Sequence, residues 1–270
     1  HVARGVLYET EGRWASAIAP GVLGVPKAVR AVVLSRLSAM PPEDRTVLQL
    51  AALLGSVIDG ELLSDVAHEL GLESAPSVER AYTDGLLLDA QDTPGCYRFS
   101  HELVREVLAS DVPPTRRTEL HRRIAHSMEA RYSDGTEQQA EALSHQLSFS
   151  ARKEDRARSA AYAAAAAERA ESRRALEKAS LLHRRSAELL ASTGDDLGRC
   201  EALLKAGRAA KKAGDPHARD TLVEAIRLAD RLGDGVRMAR AALACSRGMF
   251  SSLGTVDTDL VDALERALVL

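Results

Sequence analysis

Gly194, Gly214, Gly233 and Gly254 stand 20, 19 and 21 positions apart, and the first three are each followed by an aspartate: Asp195, Asp215 and Asp234. No other feature constrains the chain as much. Glycine closes a helix in the left-handed conformation without strain, and aspartate caps the helix that follows. Between these marks lie Leu197, Cys200, Leu203, Leu204, Gly207 and Ala210, then Ala218, Leu222, Val223, Ile226 and Ala229, then Val236, Ala239, Leu243 and Ser246. One helix per interval gives a helical hairpin every ~40 residues, the pattern of a stacked helical repeat. The small residues Gly207, Ala210, Ala225 and Ala229 let neighbouring helices approach closely. Such an array is expected over residues 151–270.

Composition agrees. The chain is 45% hydrophobic but only 3% aromatic, so its core is built from Leu, Ala and Val. Ala160 to Ala167 is alanine throughout except for Tyr162 and reads as a tightly packed helix. Arg169, Arg173, Arg174, Lys178, Arg184 and Arg185 are interleaved with Glu168, Glu171 and Glu177, which favours a salt-bridged face over a nucleic-acid groove. At the far end Leu260, Val261, Leu264, Ala267 and Leu268 form an apolar stripe, expected to stay partly open.

Upstream the punctuation is different. Val2, Val6 and Leu7 suggest a helix ending near Gly12. A loop with Pro20, Gly21, Gly24 and Pro26 follows, then a second helix through Val29, Val32, Val33 and Leu37. Pro41-Pro42 breaks that helix, and Pro42 to Leu54 is a new one stopped by Gly55. Short helices follow at Glu61–Leu70 and Ser77–Asp84. Two strands, Leu86–Ala90 and Cys96–Phe99, flank an Asp92-Thr93-Pro94-Gly95 turn. Three helices and a hairpin are the order of a winged helix. Its third helix offers Glu79, Arg80, Tyr82, Thr83 and Asp84, and the hairpin adds Asp89, Asp92 and Arg98. That surface repels phosphate, so direct DNA binding is not expected. Thr115–Arg131 and Thr136–Ser148 are further helices. His121 and His126 are five apart and do not share a face, which makes them poor metal ligands. His145 is expected in packing.

The balance of 36 Lys and Arg against 39 Asp and Glu, a formal charge of -3, shows no polyanion-binding bias. Cys96, Cys200 and Cys245 are odd in number and far apart, as in reduced cytosolic thiols. No apolar run is long enough to span a membrane. The chain opens at His1 and closes in a helical pattern at Leu270, which suggests a piece of a larger cytoplasmic protein.

One stretch carries candidate chemistry: Phe99-Ser100-His101-Glu102-Leu103-Val104-Arg105. Ser100 is a good N-cap, and Leu103, Val104, Val107 and Leu108 recur at helical spacing. His101 and Glu102 then lie at a helix mouth, where amides and the positive dipole end favour an anion. Two readings stand: an anion-sensing imidazole, or a structural residue bonded to nearby backbone. A zinc protease is excluded, because Arg105 occupies the place of the second zinc-binding His.

Four segments together resemble the signal-transducing ATPases with numerous domains (STAND), in particular the large LuxR-type transcriptional regulators of actinobacteria. They are Val25-Pro26 to Arg36-Leu37, Val47 to Gly55, Phe99 to Arg105, and Leu120-His121-Arg122-Arg123-Ile124-Ala125. The resemblance covers most of the chain. It implies a mainly α chain with a winged-helix module and its small β-hairpin, followed by an α-helical tetratricopeptide-like array. Residues 1–40 would end the helical lid of a nucleotide-binding domain, 41–111 form the winged helix, 112–150 connecting helices, and 151–270 the repeats. The family's Met-His-Asp motif, whose His contacts the β-phosphate of ADP, falls on Ser100, His101 and Glu102; only His101 matches closely. The chain has no Gly-x-x-x-x-Gly-Lys-[Ser/Thr] loop, so it is expected to be no enzyme by itself and to hold no cofactor, with ATP or ADP and magnesium bound by the parent protein. Implied partners are the parent's own nucleotide-binding domain and a protein or small inducer on the repeats, with no direct DNA contact and no membrane. The same module inside an adenylate cyclase or kinase-linked signalling protein, or a helical protein-binding scaffold, are the alternatives.

Overall fold

A computed structural model describes residues 7–10, 13–16, 35, 37, 39–90, 93–133, 136–246 and 257–270. The chain divides into two units, His1–Arg117 and Thr118–Leu270. It is mainly helical, with small antiparallel sheets that, among the described residues, are confined to the first unit.

The first unit opens with a hairpin of β1 (Leu7–Thr10) and β2 (Arg13–Ser16), paired Leu7 to Ser16 and Thr10 to Arg13. Over Leu7–Thr10 this corrects the helix expected up to Gly12; Val2 and Val6 lie outside the described residues. Tyr8, Thr10 and Trp14 are residue types that favour strands. The loop at Pro20 to Pro26 and the apolar face at Val29, Val32 and Val33 lie outside the described residues; Leu37 is helical and buried.

α1 (Pro42–Leu54) begins with proline in its first turn, where no amide partner is needed, and buries Val47, Leu48, Leu50 and Ala51. β3 (Ile58–Asp59) follows, a strand the sequence reading lacked. The Asp59 carboxylate accepts from the Glu61 and Leu62 amides and so caps α2 (Gly60–Glu69). α3 (Ser74–Thr83) starts three residues before the expected Ser77. β4 (Leu87–Asp89) and β5 (Cys96–Phe99) complete a three-stranded sheet of order β3-β5-β4, with Ile58 opposite Tyr97 and Leu87 opposite Phe99. Ile58, Leu87 and Phe99 turn inward beneath α1 and α4 (Glu102–Asp111), whose Val104, Val107 and Leu108 are buried with them.

The second unit is helical. α5 (Pro114–Arg131) crosses the boundary between the units and is followed by α6 (Thr136–Leu147), α7 (Lys153–Ser172), α8 (Leu176–Ala191) and α9 (Asp196–Ala213). α10 (Ala218–Leu232), α11 (Gly235–Cys245) and α12 (Thr258–Val269) complete it. From α6 onward each helix packs on the next. Leu120, Ile124, Ala125 and Met128 of α5 are buried as expected, and Glu129 bonds Tyr162 and Arg158 of α7.

Gly214 and Gly233 close α9 and α10 as C-caps, whereas α8 ends at Ala191 with Ser192 as its cap and Gly194 follows two residues later. Gly194, Gly214 and Gly233 have φ of 85°, 79° and 66°; Gly254 lies outside the described residues. Asp195 and Asp234 cap α9 and α11 through the Gly198 and Arg237 amides. Asp215 does not cap α10: its carboxylate accepts from the His217 amide two residues on, and the helix starts at Ala218. The alanine run packs as expected, with Ala160, Ala163, Ala166, Ala167 and Ala170 buried. Helices come close enough for serine hydroxyls to reach the neighbour's carbonyls: Ser159 donates to Ser144, Ser186 to Ala160 and Ser180 to Ala206. The terminal stripe is half covered. Leu260 and Ala263 are buried and Leu264 and Ala267 pack against the core, whereas Leu268 is 88% exposed.

Candidate functional site

The β4–β5 hairpin delivers the chain to the mouth of α4. Phe99 is buried, and the Ser100 amide donates to the Leu86 carbonyl, so Ser100 still belongs to the sheet edge. The N-cap is therefore His101, with φ -139° and ψ 129°, and not Ser100 as the residue types suggest. Its imidazole makes no capping bond and is exposed, which leaves the ring directed at neither the first-turn amides nor the core. The bonded, structural version of His101 thus finds no support in the local geometry.

The platform beneath His101 is fixed at both ends of α4. Glu102 pairs with Arg105 one turn on, and the Arg105 guanidinium reaches across to the Ala52 carbonyl in the last turn of α1. At the other end Asp111 accepts from Arg45 at 2.6 Å and from Gln49 at 2.9 Å, both on α1. Glu102 therefore serves Arg105 and the Ser100 amide serves Leu86, while the His101 ring between them makes no capping bond.

On the α3 face, where no DNA contact is expected, the basic side chain is engaged by a buried carboxylate. Asp44 of α1 is 1% exposed and accepts from Ser77 at 2.7 Å and from Arg80 Nε and Nη2 at 2.7 and 2.5 Å. The Arg80 guanidinium, helped by Ser77, holds the Asp44 carboxyl below its ordinary range against the opposing effect of burial. The basic side chain of α3 is thereby bound to the protein. Tyr82 donates to Asp89 at 3.0 Å, and that bond pushes its phenol up. An open groove of about 630 Å³, with Glu61, Val78, Glu79, Tyr82, Asp89 and Tyr97 on its walls, keeps an acidic rim.

In the second unit His121 and His183 are buried, whereas His126, His217 and His145, the last expected in packing, are exposed. His121 is buried, its Nδ1 lies 2.5 Å from Gln146 Oε1, and its ring stacks on Phe149 at 3.9 Å and 6°. His145 is exposed and meets the Phe149 ring edge-on, while His126 points outward. Sequence reasoning missed His183 altogether. It is 1% exposed on α8, with Nε2 3.2 Å from Glu171 Oε1 and no partner for Nδ1. Burial pushes its pKa down, opposed by Glu171. No group of three or more metal-ligating side chains occurs among the described residues. The three cysteines are free thiols, and burial raises the pKa of each, which makes them poor nucleophiles.

The salt-bridged face expected along Arg169–Arg185 is corrected. Glu168 pairs with Lys205 and Glu171 with His183, while Lys178 pairs with Glu141. Arg184 and Arg185 bond the hydroxyls of Thr221 and Ser148. These pairs run between helices. Arg169 and Arg173 make no ion pair among the described residues.

No helix among the described residues is long and apolar enough to cross a membrane. No family model, no curated protein and no solved structure matches the chain.

Proposed function

We propose that the chain is the regulatory portion of an ATP-dependent STAND regulator of the LuxR type, coupling nucleotide state and inducer or partner binding to output. The observation that carries this reading is the wiring of the first unit. The order α1-β3-α2-α3-β4-β5 with sheet order β3-β5-β4 suits a winged helix, and an exposed histidine with no capping bond follows it at the mouth of α4. In this reading His101 donates to the β-phosphate of ADP held by a nucleotide-binding domain outside these 270 residues, and α4, tied to α1 at both ends, sets its position. The acidic rim of the α3 face supports a module that reads nucleotide state and not DNA. The α6–α12 stack acts as a tetratricopeptide-like sensor array, and the assembly works in the cytoplasm.

The test is made on the complete gene product. A buried charge-assisted bond to phosphate contributes about 1.5–3 kcal/mol, so His101→Ala should weaken ADP retention about 10-fold or more and raise basal output. Unchanged ADP affinity in a folded variant would remove the sensing role. The 270-residue chain alone should release no phosphate from ATP and magnesium.

A further inference from the structure

We propose that the cleft between α6, α7 and α8 binds a small molecule bearing an oxyanion, a carboxylate or a phosphate, held by Arg169 and Arg173 with Lys178 at the rim. The cleft measures about 260 Å³. Arg169 stands in the last turn of α7 and Arg173 is its C-cap, Lys178 lies on the α8 side, and Ala166, Ala170 and Ala175 complete the lining.

Charge is what selects the ligand. Three cations and one carboxylate, Glu141, line the space. Glu141 is engaged by Lys178 at 2.6 Å. Of the acids that neighbour the arginines in sequence, Glu168 is paired with Lys205, Glu171 is hydrogen-bonded to the buried His183 ring, and neither lines the cleft. Two guanidiniums four residues apart on a helix repel each other. Proximity to the helix C-terminus favours one cation there through the dipole, but it does not account for two guanidiniums without an ion pair lining one cleft. An oxyanion removes the repulsion and matches the planar fork of arginine bidentately. The small alanine floor leaves room for a short apolar body and excludes a large aromatic one. α8 also starts at the cleft wall with no side-chain cap on its first-turn amides.

This names the ligand class for the sensor array proposed above and rests on that reading for its regulatory meaning; the binding itself rests on the cleft alone. Isothermal titration of the 270-residue chain with inorganic phosphate, glycerol 3-phosphate, succinate and, as the uncharged comparison, glycerol separates the cases. At least one anion should bind where glycerol does not, with affinity falling as salt rises. Phosphate compounds alone, succinate alone, or both would each identify the source of the oxyanion. Arg169→Gln and Arg173→Gln should each weaken binding about 10-fold, and Arg174→Gln, next door but not lining the cleft, should leave it unchanged. Circular dichroism confirms that the variants stay helical, and the salt titration of the unmodified chain needs no variant. Absence of heat with every anion up to about 10 mM, glycerol binding equal to the anions, or full affinity in the Arg169→Gln/Arg173→Gln double variant would overturn the proposal. None of these outcomes bears on ADP retention by His101, so the two readings fail separately.

Discussion

Gly207 lies inside α9 where α10 crosses it, and an added methyl there would test how closely the array is packed. A Cβ at Gly207 would sit 2.5 Å from Leu222 Cγ, 2.6 Å from Cδ2 and 3.3 Å from the Leu222 amide nitrogen. Ordinary carbon contacts are about 3.5–4.0 Å, so the overlap is about 1 Å. Leu222 is 1% exposed and has no open side to move toward. Overpacking of this size costs about 1–3 kcal/mol, whereas replacing glycine by alanine within a helix returns about 0.8–1 kcal/mol. Gly207→Ala should therefore destabilise the second unit by about 1 kcal/mol despite its better helix propensity. Leu222→Ala alone should cost about 2–5 kcal/mol through the cavity it leaves. In the double variant the methyl added at Gly207 occupies part of that cavity, so the loss should fall short of the sum by about 1–3 kcal/mol. Urea unfolding followed by far-ultraviolet circular dichroism measures all three. A stabilised Gly207→Ala together with strict additivity would show that α9 and α10 can part freely, and the close-approach argument would fail.

Two further expectations concern pH. The Asp44 carboxyl has a lower pKa in the folded chain than unfolded, so between the two values the unfolded state binds more protons. Its contribution is complete above the ordinary carboxylate range and is lost as pH falls through the lowered value; Asp44→Asn should cost about 2 kcal/mol at neutral pH and flatten the acid limb of a urea-midpoint profile, and an unaltered limb would count against the buried pair. His183 titrates the other way in charge but with the same slope: its folded pKa lies below the unfolded value of about 6.5. Stability should thus decline as pH drops below about 6.5, as protons bind the unfolded chain first, and His183→Gln should lessen that decline; equal profiles for the two chains would refute the role of His183.

The helices that could be read from sequence are those bounded by glycine or proline. α1 between Pro41 and Gly55, α2 ending before Gly71, and α9 and α10 before Gly214 and Gly233 fall where punctuation and apolar spacing agree. β3 escaped because two residues between Gly55 and Gly60 carry no period. The β1–β2 hairpin escaped because its strands are too short to outvote a chance helical spacing. The shift of the cap from Ser100 to His101 turns on one hydrogen bond, from the Ser100 amide to Leu86, that pairs residues 14 positions apart. The same holds for the Asp44–Arg80 pair, the burial of His183 and the bare arginines of the α7 cleft. Each depends on which side chains face each other across two elements, and one-dimensional spacing holds no record of that.

The sequential packing of α6 to α12 has a mechanical consequence. Each helix leans on the one before and the one after, with α9 also touching α11. Interfaces joined in series share a load: a small rotation at each adds to a large change of curvature, while no single contact leaves its well. A molecule bound between two neighbouring helices would stiffen one link of that spring, and the effect would be read at its far end as a change of bend.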